Sequence, residues 1–354
     1  MTNTVSFCTI EDPTDLMTKV EALRDAVEAA MQTFAVQFDL KLELDGMPGT
    51  PDPREVAFGS TIALTNDVIK YEYACAFDET TAKTLTRTLF AMEPDEDVSM
   101  ADLSDALNEI PNVAAGVWKA KRENCSETYQ LGLPLFIKNN SWVTYFPRGV
   151  NAISQRLRGP GEVRLQVILI WRYGERAGGK QPMKTRTIES QGVELQFNPA
   201  EVLIEAVGAV VETCRVQMDY DLEVKSNPSD PREADVEYGS SIALTADGGG
   251  WHLAVMADKR CCEDLTRALF AMETDEKPSM EDMADAIGEI VNVAAGVMKA
   301  SRAKAGQAVQ LGLPLFLEGK SCIEFFASGI QGMAQTVTGR EGQEAHVILI
   351  WQEG

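Results

Sequence analysis

One unit of about 180 residues occurs twice in this chain, and a sequence written twice must fold into the same architecture twice. Setting residue i beside residue i+180 aligns GSTIALT (59–65) with GSSIALT (239–245) and LTRTLFAMEPDEDVSM (85–100) with LTRALFAMETDEKPSM (265–280). The register continues without a gap through NEIPNVAAGVWKA (108–120) on GEIVNVAAGVMKA (288–300), then QLGLPLF (130–136) on QLGLPLF (310–316), then VILIW (167–171) on VILIW (347–351). Only DPRE breaks step, at 52–55 and 230–233, an offset of 178 that points to a two-residue length change just before it.

At 354 residues the chain is long enough for about two domains, each able to bury a core without disulfides or metals. The segment 172–190 carries Gly, Pro and five basic residues with little apolar periodicity, as suits an exposed linker. The boundaries expected are 1–174 for the first copy, 175–190 for the linker and 191–354 for the second copy. Periodicity predicts an opening helix (16–35, 199–216) and strands near 36–44, 60–65 and 69–77. A short helix at 79–92, a long helix at 99–122 and strands near 128–137, 142–147 and 163–172 follow. This order lacks the alternation of a doubly wound parallel sheet, so the fold class expected is α+β, helices packed on a largely antiparallel sheet.

Charge narrows the partners. With 32 Lys and Arg against 54 Asp and Glu, the net charge is −22, and the average surface repels phosphate backbones and anionic headgroups. Nucleic acid and membrane partners are therefore not expected, and the longest apolar runs are far too short to span a bilayer. Seven cysteines without a C-x2-C read as reduced thiols, which suits the cytoplasm. The adjacent pair Cys261–Cys262 matches Thr81 and Ala82, ordinary helix-start residues. The only histidines, His252 and His346, match Glu72 and Gln166, so chemistry built on His would exist in one copy only. The acidic runs at 93–97 and 273–277 lack EF-hand spacing, and no metal site is indicated.

The long helix opens on Ser99 with Asp102 three residues on, and on Ser279 with Asp282, a capping-box-like start. Leu103, Leu107, Ile110, Ala114 and Val117 recur at core-facing spacing, as do Met283, Ile287, Ile290, Ala294 and Val297. Asp105, Glu109, Asn112 and Gly116 run along roughly the opposite face, and Asp285, Glu289, Asn292 and Gly296 repeat them. These four positions match in both copies while neighbours such as Asn108 and Gly288 differ. Gly inside a helix costs about 1 kcal/mol relative to Ala, which suits a face that something approaches closely. Read from spacing alone, two accounts stay open: a partner surface, or a solvated face whose glycine lets an element of the same domain pack.

The stripe resembles the signature of CheC/CheX-type chemotaxis phosphatases, Asp or Ser, then x3-Glu-x2-Asn, then a proline about 22 residues later. Asp105, Glu109, Asn112 and Pro134 match it, as do Asp285, Glu289, Asn292 and Pro314, each with a spacer of 21 residues. The segment 198–216 is similar to the opening helix of CheX-like domains. The resemblance implies hydrolysis of the aspartyl phosphate of a CheY-like receiver domain, with Mg2+ and a lysine supplied by the phosphorylated partner and no cofactor from this chain. Asn112 and Asn292 would orient the attacking water, much as a glutamine does in small GTPases. Glu109 and Glu289 would contact the receiver lysine, and Asp105, Gly116, Asp285 and Gly296 would serve docking. Because single-signature members tend to pair, the two copies are candidates for an intramolecular pseudo-dimer.

Pro111, where the second copy has Val291, is a departure: it removes the bond to the Leu107 carbonyl. Either a kink disables the first site or a slight bend leaves both side chains in place. Two other functional readings stand beside the phosphatase: a non-catalytic docking module for a receiver or a flagellar or signalling partner, and a structural duplication that uses neither stripe.

Overall fold

The computed structural model describes residues 13–66, 69–123, 128–173, 197–225, 227–246, 249–319, 330–339 and 342–352. The first copy runs α1 (Pro13–Gln37), β1 (Glu43–Gly49), β2 (Phe58–Thr65), β3 (Ile69–Phe77), α2 (Glu79–Leu89) and α3 (Met100–Glu123). It continues through β4 (Gln130–Leu131), β5 (Leu135–Lys138), α4 (Ser141–Thr144), β6 (Asn151–Arg158) and β7 (Arg164–Tyr173). The second copy runs α5 (Pro199–Met218), β8 (Glu223–Val224), β9 (Tyr238–Ala246), β10 (Gly249–Ala257), α6 (Lys259–Phe270) and α7 (Met280–Lys304). Its last strands are β11 (Val309–Leu311), β12 (Leu315–Glu318), β13 (Ile330–Thr338) and β14 (Glu344–Gln352). The expected linker 175–190 lies outside the described residues.

Among the described residues each copy builds one antiparallel sheet, in the order β1-β6-β7-β3-β2 with β4 and β5 sharing the outer edge of β2. The second sheet runs β8-β13-β14-β10-β9, with β11 and β12 on β9. The expected α+β class is the observed one. The sheets explain why VILIW reads as an unbroken apolar run and why every residue of GSTIALT is buried. Ile62, Leu64, Val167 and Leu169 face the helices of their own copy, whereas Ala74, Ala76, Ile168 and Ile170 join a cluster shared with Ala254, Met256, Ile348 and Ile350 of the other copy. A strand buried on both faces loses its period-two alternation.

Several contacts cross between repeat-matched positions. Thr65 and Thr245 hydrogen-bond through their hydroxyls at 2.8 Å. The Leu313 N–H donates to Glu72 Oε1 at 3.5 Å, and in the mirrored place His252 Nε2 lies 3.0 Å from the Leu133 carbonyl. Both side chains are buried, with Thr61 donating to Glu72 at 2.9 Å and Ser241 3.3 Å from His252 Nδ1. Burial pushes Glu72 up to about 7, opposed by the Thr61 and Leu313 donors, and pushes His252 down to about 4.

Local departures from the expected elements have local causes. The strand expected at 36–44 is the end of α1 and a loop, with the strand itself at 43–49; Asp39, and Asp219 in the second copy, end the helices in the left-handed region that Asp tolerates. The strand expected at 128–137 is split into β4 and β5. The strand expected at 142–147 is instead the short helix α4, because the Asn139 carboxamide oxygen accepts from the Ser141 N–H and hydroxyl at 3.0 and 2.9 Å. β6 was not expected, since Asn, Ser, Gln and Arg interrupt its apolar alternation. Buried Gln155 is satisfied by backbone carbonyls of Gly46 and Arg156. The two-residue length change before DPRE falls where β1 is seven residues long and β8 two.

Candidate functional site

Both signature helices are fixed at their starts by the capping boxes expected from sequence. Asp102 and Asp282 accept from the backbone N–H of Ser99 and Ser279 at 3.0 and 2.9 Å, and the serine hydroxyls accept in return from the aspartate N–H groups at 3.1 Å. Near their other ends the helices are tied to the opening helices by a repeated ion pair, Arg122 to Asp25 at 3.3 Å and Arg302 to Glu205 at 2.7 Å. Between these anchors Leu103, Leu107, Ile110 and Ala114 are buried, and so are Met283, Ile287, Ile290 and Ala294. The expected apolar stripe ends there: Val117 is half-buried and Val297 exposed, because a 3.6-residue repeat drifts away from the sheet over four turns.

The polar stripe lies outward. Glu109 and Asn112 are exposed; Glu289 and Asn292 are half-buried, as are Asp105, Asp285, Gly116 and Gly296. A Cβ added at Gly116 or Gly296 meets nothing within 4 Å among the described residues, so close packing inside the chain does not account for either glycine. Helix α3 continues through buried Pro111, which keeps Glu109 and Asn112 in register on the solvent side. The signature proline of the second copy sits beside its helix, Pro314 Cβ lying 3.7 Å from where a Cβ at Gly288 would be.

The two helices differ where the first copy reaches over to the second. Beyond α4, Tyr145 packs edge-on to Phe316 at 6.1 Å, and Pro147 seats against Gly288, whose added Cβ would lie 2.9 Å from the proline ring. Arg148 then clasps Asp285. Its backbone N–H donates to Oδ1 at 2.5 Å, its Nε lies 2.6 Å from Oδ2, and its guanidinium rests over the Phe270 ring at 5.6 Å. Burial pushes the Asp285 carboxyl above the usual range, with the Arg148 N–H and charge opposing it. The difference between Asn108 and Gly288 is therefore not drift on a solvent face. Both positions are buried: Asn108 accepts from the Ser60 hydroxyl at 2.5 Å, and Gly288 makes room for Pro147. Arg148, Pro147 and Gly288 were not found by reading one helix at a time. The signal available was the pairing of two repeat mismatches, Pro-Arg at 147–148 against Ala-Ser at 327–328, and Asn108 against Gly288.

The candidate site is thus a helix face. Two surface clefts, one lined by Ser229, Asp230 and Arg232 and one by Glu205, Ser301 and Arg302, include no stripe residue. Among the described residues no three His, Cys, Asp or Glu side chains are grouped to hold a metal ion, and no helix is long and apolar enough to cross a membrane. A carboxylate and a carboxamide one turn apart on an outward face can position a water or grip a cation, and an amide does so without titrating.

The chain is a duplicated α+β domain with a Glu–Asn pair on a helix face of each copy. The sequence model of the family described as Chemotaxis phosphatase CheX matches residues 58–157 and 238–338, once in each copy and together more than half of the chain, and the chain belongs to that family. A comparison with curated proteins finds no match. Similar solved structures include the chemotaxis protein CheX from Desulfovibrio desulfuricans, 17% identical over 43% of this chain and 99% of that chain, TM-score 0.37. CheX from Vibrio vulnificus is 16% identical over 43% and 100%, TM-score 0.38. A CheX-CheY-BeF3-Mg2+ complex from Borrelia burgdorferi is 13% identical over 43% and 97%, TM-score 0.35.

Proposed function

We propose that this chain hydrolyses the aspartyl phosphate of a CheY-like receiver domain. The observation that carries the reading is the same Glu–Asn pair, with an open glycine one turn on, facing outward from the signature helix of both copies of a CheX-family chain. Asn112 and Asn292 orient a water in line with the phosphorus. The water oxygen bonds to phosphorus as the bond to the aspartyl oxygen breaks, giving the free carboxylate and inorganic phosphate. Glu109 and Glu289 grip the receiver lysine and set the register in which the amide is delivered. The receiver brings its own Mg2+. Positioning and electrostatics suffice for a phosphoryl group already activated as an acyl phosphate. The two copies act as an intramolecular pseudo-dimer, a reading supported by the shared buried cluster and the crossing hydrogen bonds.

The test is phosphate loss from an acyl-phosphorylated CheY-like receiver with wild type, Asn112→Ala, Asn292→Ala and the double variant. The double variant is expected to lose acceleration by about 10²-fold or more, with Asn292→Ala costing more than Asn112→Ala. No acceleration by wild type with any cognate receiver, together with retained binding, would replace the phosphatase with a docking module.

A further inference from the structure

The second site contains a residue that its own copy does not supply. Arg148 reaches Asp285 from the first copy, and Asp285 begins the stripe that carries Glu289 and Asn292. At 1.5 Å of rise per residue, Glu289 lies about 6 Å and Asn292 about 10 Å further along the helix. The Arg148 side chain is 79% exposed although its Nε is held by Asp285, so its remaining donors sit at the margin of the stripe in contact with solvent. The clasp is built twice over, by the Arg148 N–H on Asp285 and by Pro147 against Gly288. The matched position 328 is Ser, so it carries no guanidinium to offer Asp105.

An aspartyl phosphate is a dianion, and a chain of net charge −22 repels a dianion brought to its surface. The guanidinium of Arg148, fixed and exposed beside the stripe, offsets that repulsion at the second helix. We infer that Arg148 is a specificity-determining residue of the second copy's site, contributed in trans by the first copy, where it contacts the anionic surface of the phosphorylated receiver. This rests on the receiver reading above. The duplication thereby yields two unlike sites, the second tuned for the charged form of the partner.

The experiment is a titration of the full chain with a beryllofluoride-loaded CheY-like receiver, in a Glu109→Arg background that blocks the first site. Arg148→Ser is expected to raise Kd about tenfold, and by less at 0.5 M salt because screening weakens the contact. KM for dephosphorylation rises with Kd while the loss in kcat stays small, and Arg148→Lys recovers most of the affinity. A merely structural clasp behaves differently: Arg148→Ser would then raise Kd by the same factor at low salt and at 0.5 M salt. A rise in Kd of the same size at both salt concentrations, or a Kd within twofold of the parent, overturns the inference. Binding that depends on Arg148 without any turnover sinks the phosphatase reading and leaves this one standing; no binding of the loaded receiver by the parent sinks both.

Discussion

Glu72 and His252 occupy matched positions in the buried seam between the copies, and their titrations oppose each other. Burial raises Glu72 from an ordinary 4.5 to about 7. Between those values the folded chain holds a proton that the unfolded chain has released, so the stability Glu72 allows is fully present below pH 4.5 and is lost as pH rises to 7. A displacement of that size is worth about 3 kcal/mol, most of which falls between pH 5 and 8. His252 runs the other way. Depressed from 6.5 to about 4, it contributes stability that is present above pH 6.5 and lost as pH falls through 4. The two slopes nearly cancel from pH 4.5 to 6.5 in the wild type. Glu72→Gln keeps the acceptor for the Leu313 N–H and removes one slope. Urea unfolding followed by tryptophan fluorescence, at pH 5 and pH 8, gives the difference between variant and wild type. That difference should grow in favour of Glu72→Gln by about 2 to 3 kcal/mol at the higher pH. A change below about 0.5 kcal/mol, or of opposite sign, would refute the claim that Glu72 is desolvated by the pairing of the copies.

His252→Gln should show the reverse, gaining on the wild type as pH falls from 6.5 to 4; a flat difference over that window would count against burial of a neutral imidazole. Gly296→Ala should raise the unfolding free energy by about 1 kcal/mol, since α7 gains helix propensity and the added methyl meets open space. Gly239→Ala should lower it by about 2 kcal/mol, because a Cβ there would sit 2.3 Å from the Val255 carbonyl oxygen and a strand backbone has little room to move; thermal unfolding of both variants checks the pair. Burial pushes the Cys75, Cys214 and Cys261 thiols up to about 12 and Cys262 well above its usual range. A thiol reagent at pH 8 should therefore label these four far more slowly in the folded chain than in urea. Fast labelling of Cys261 would reopen a redox role for the Cys261–Cys262 pair.

The signature helices were legible because their information is local. A core stripe at helical spacing, a serine with an aspartate three residues on, and an outward Glu–Asn pair all lie within one stretch of chain. The short elements after them were not. Trp142, Val143, Thr144 and Tyr145 have strand-forming side chains, yet the Asn139 carboxamide captures Ser141 and turns the backbone into α4. β6 hides because its buried Gln155 is polar and is satisfied in part by the Gly46 carbonyl, distant in sequence. The clasp at Asp285 was hidden for a related reason: Arg148 is 137 residues away, and nothing in the Asp285 neighbourhood of the sequence announces a guanidinium. What the repeat did contain was the pair of compensating mismatches, readable only by asking which differences between the copies could touch.

The seam that joins the copies also frees them from each other. Two identical subunits meeting through such a surface must accept every substitution on both sides at once, and they separate on dilution. Here Thr65 meets Thr245 and Glu72 meets the Leu313 backbone within a single covalent chain, so dilution cannot part them and each half mutates alone. A proline can enter α3 and a valine remain in α7; an arginine can arise at 148 while 328 stays serine. Fusion turns a symmetric contact into a place where two halves of one gene can specialise.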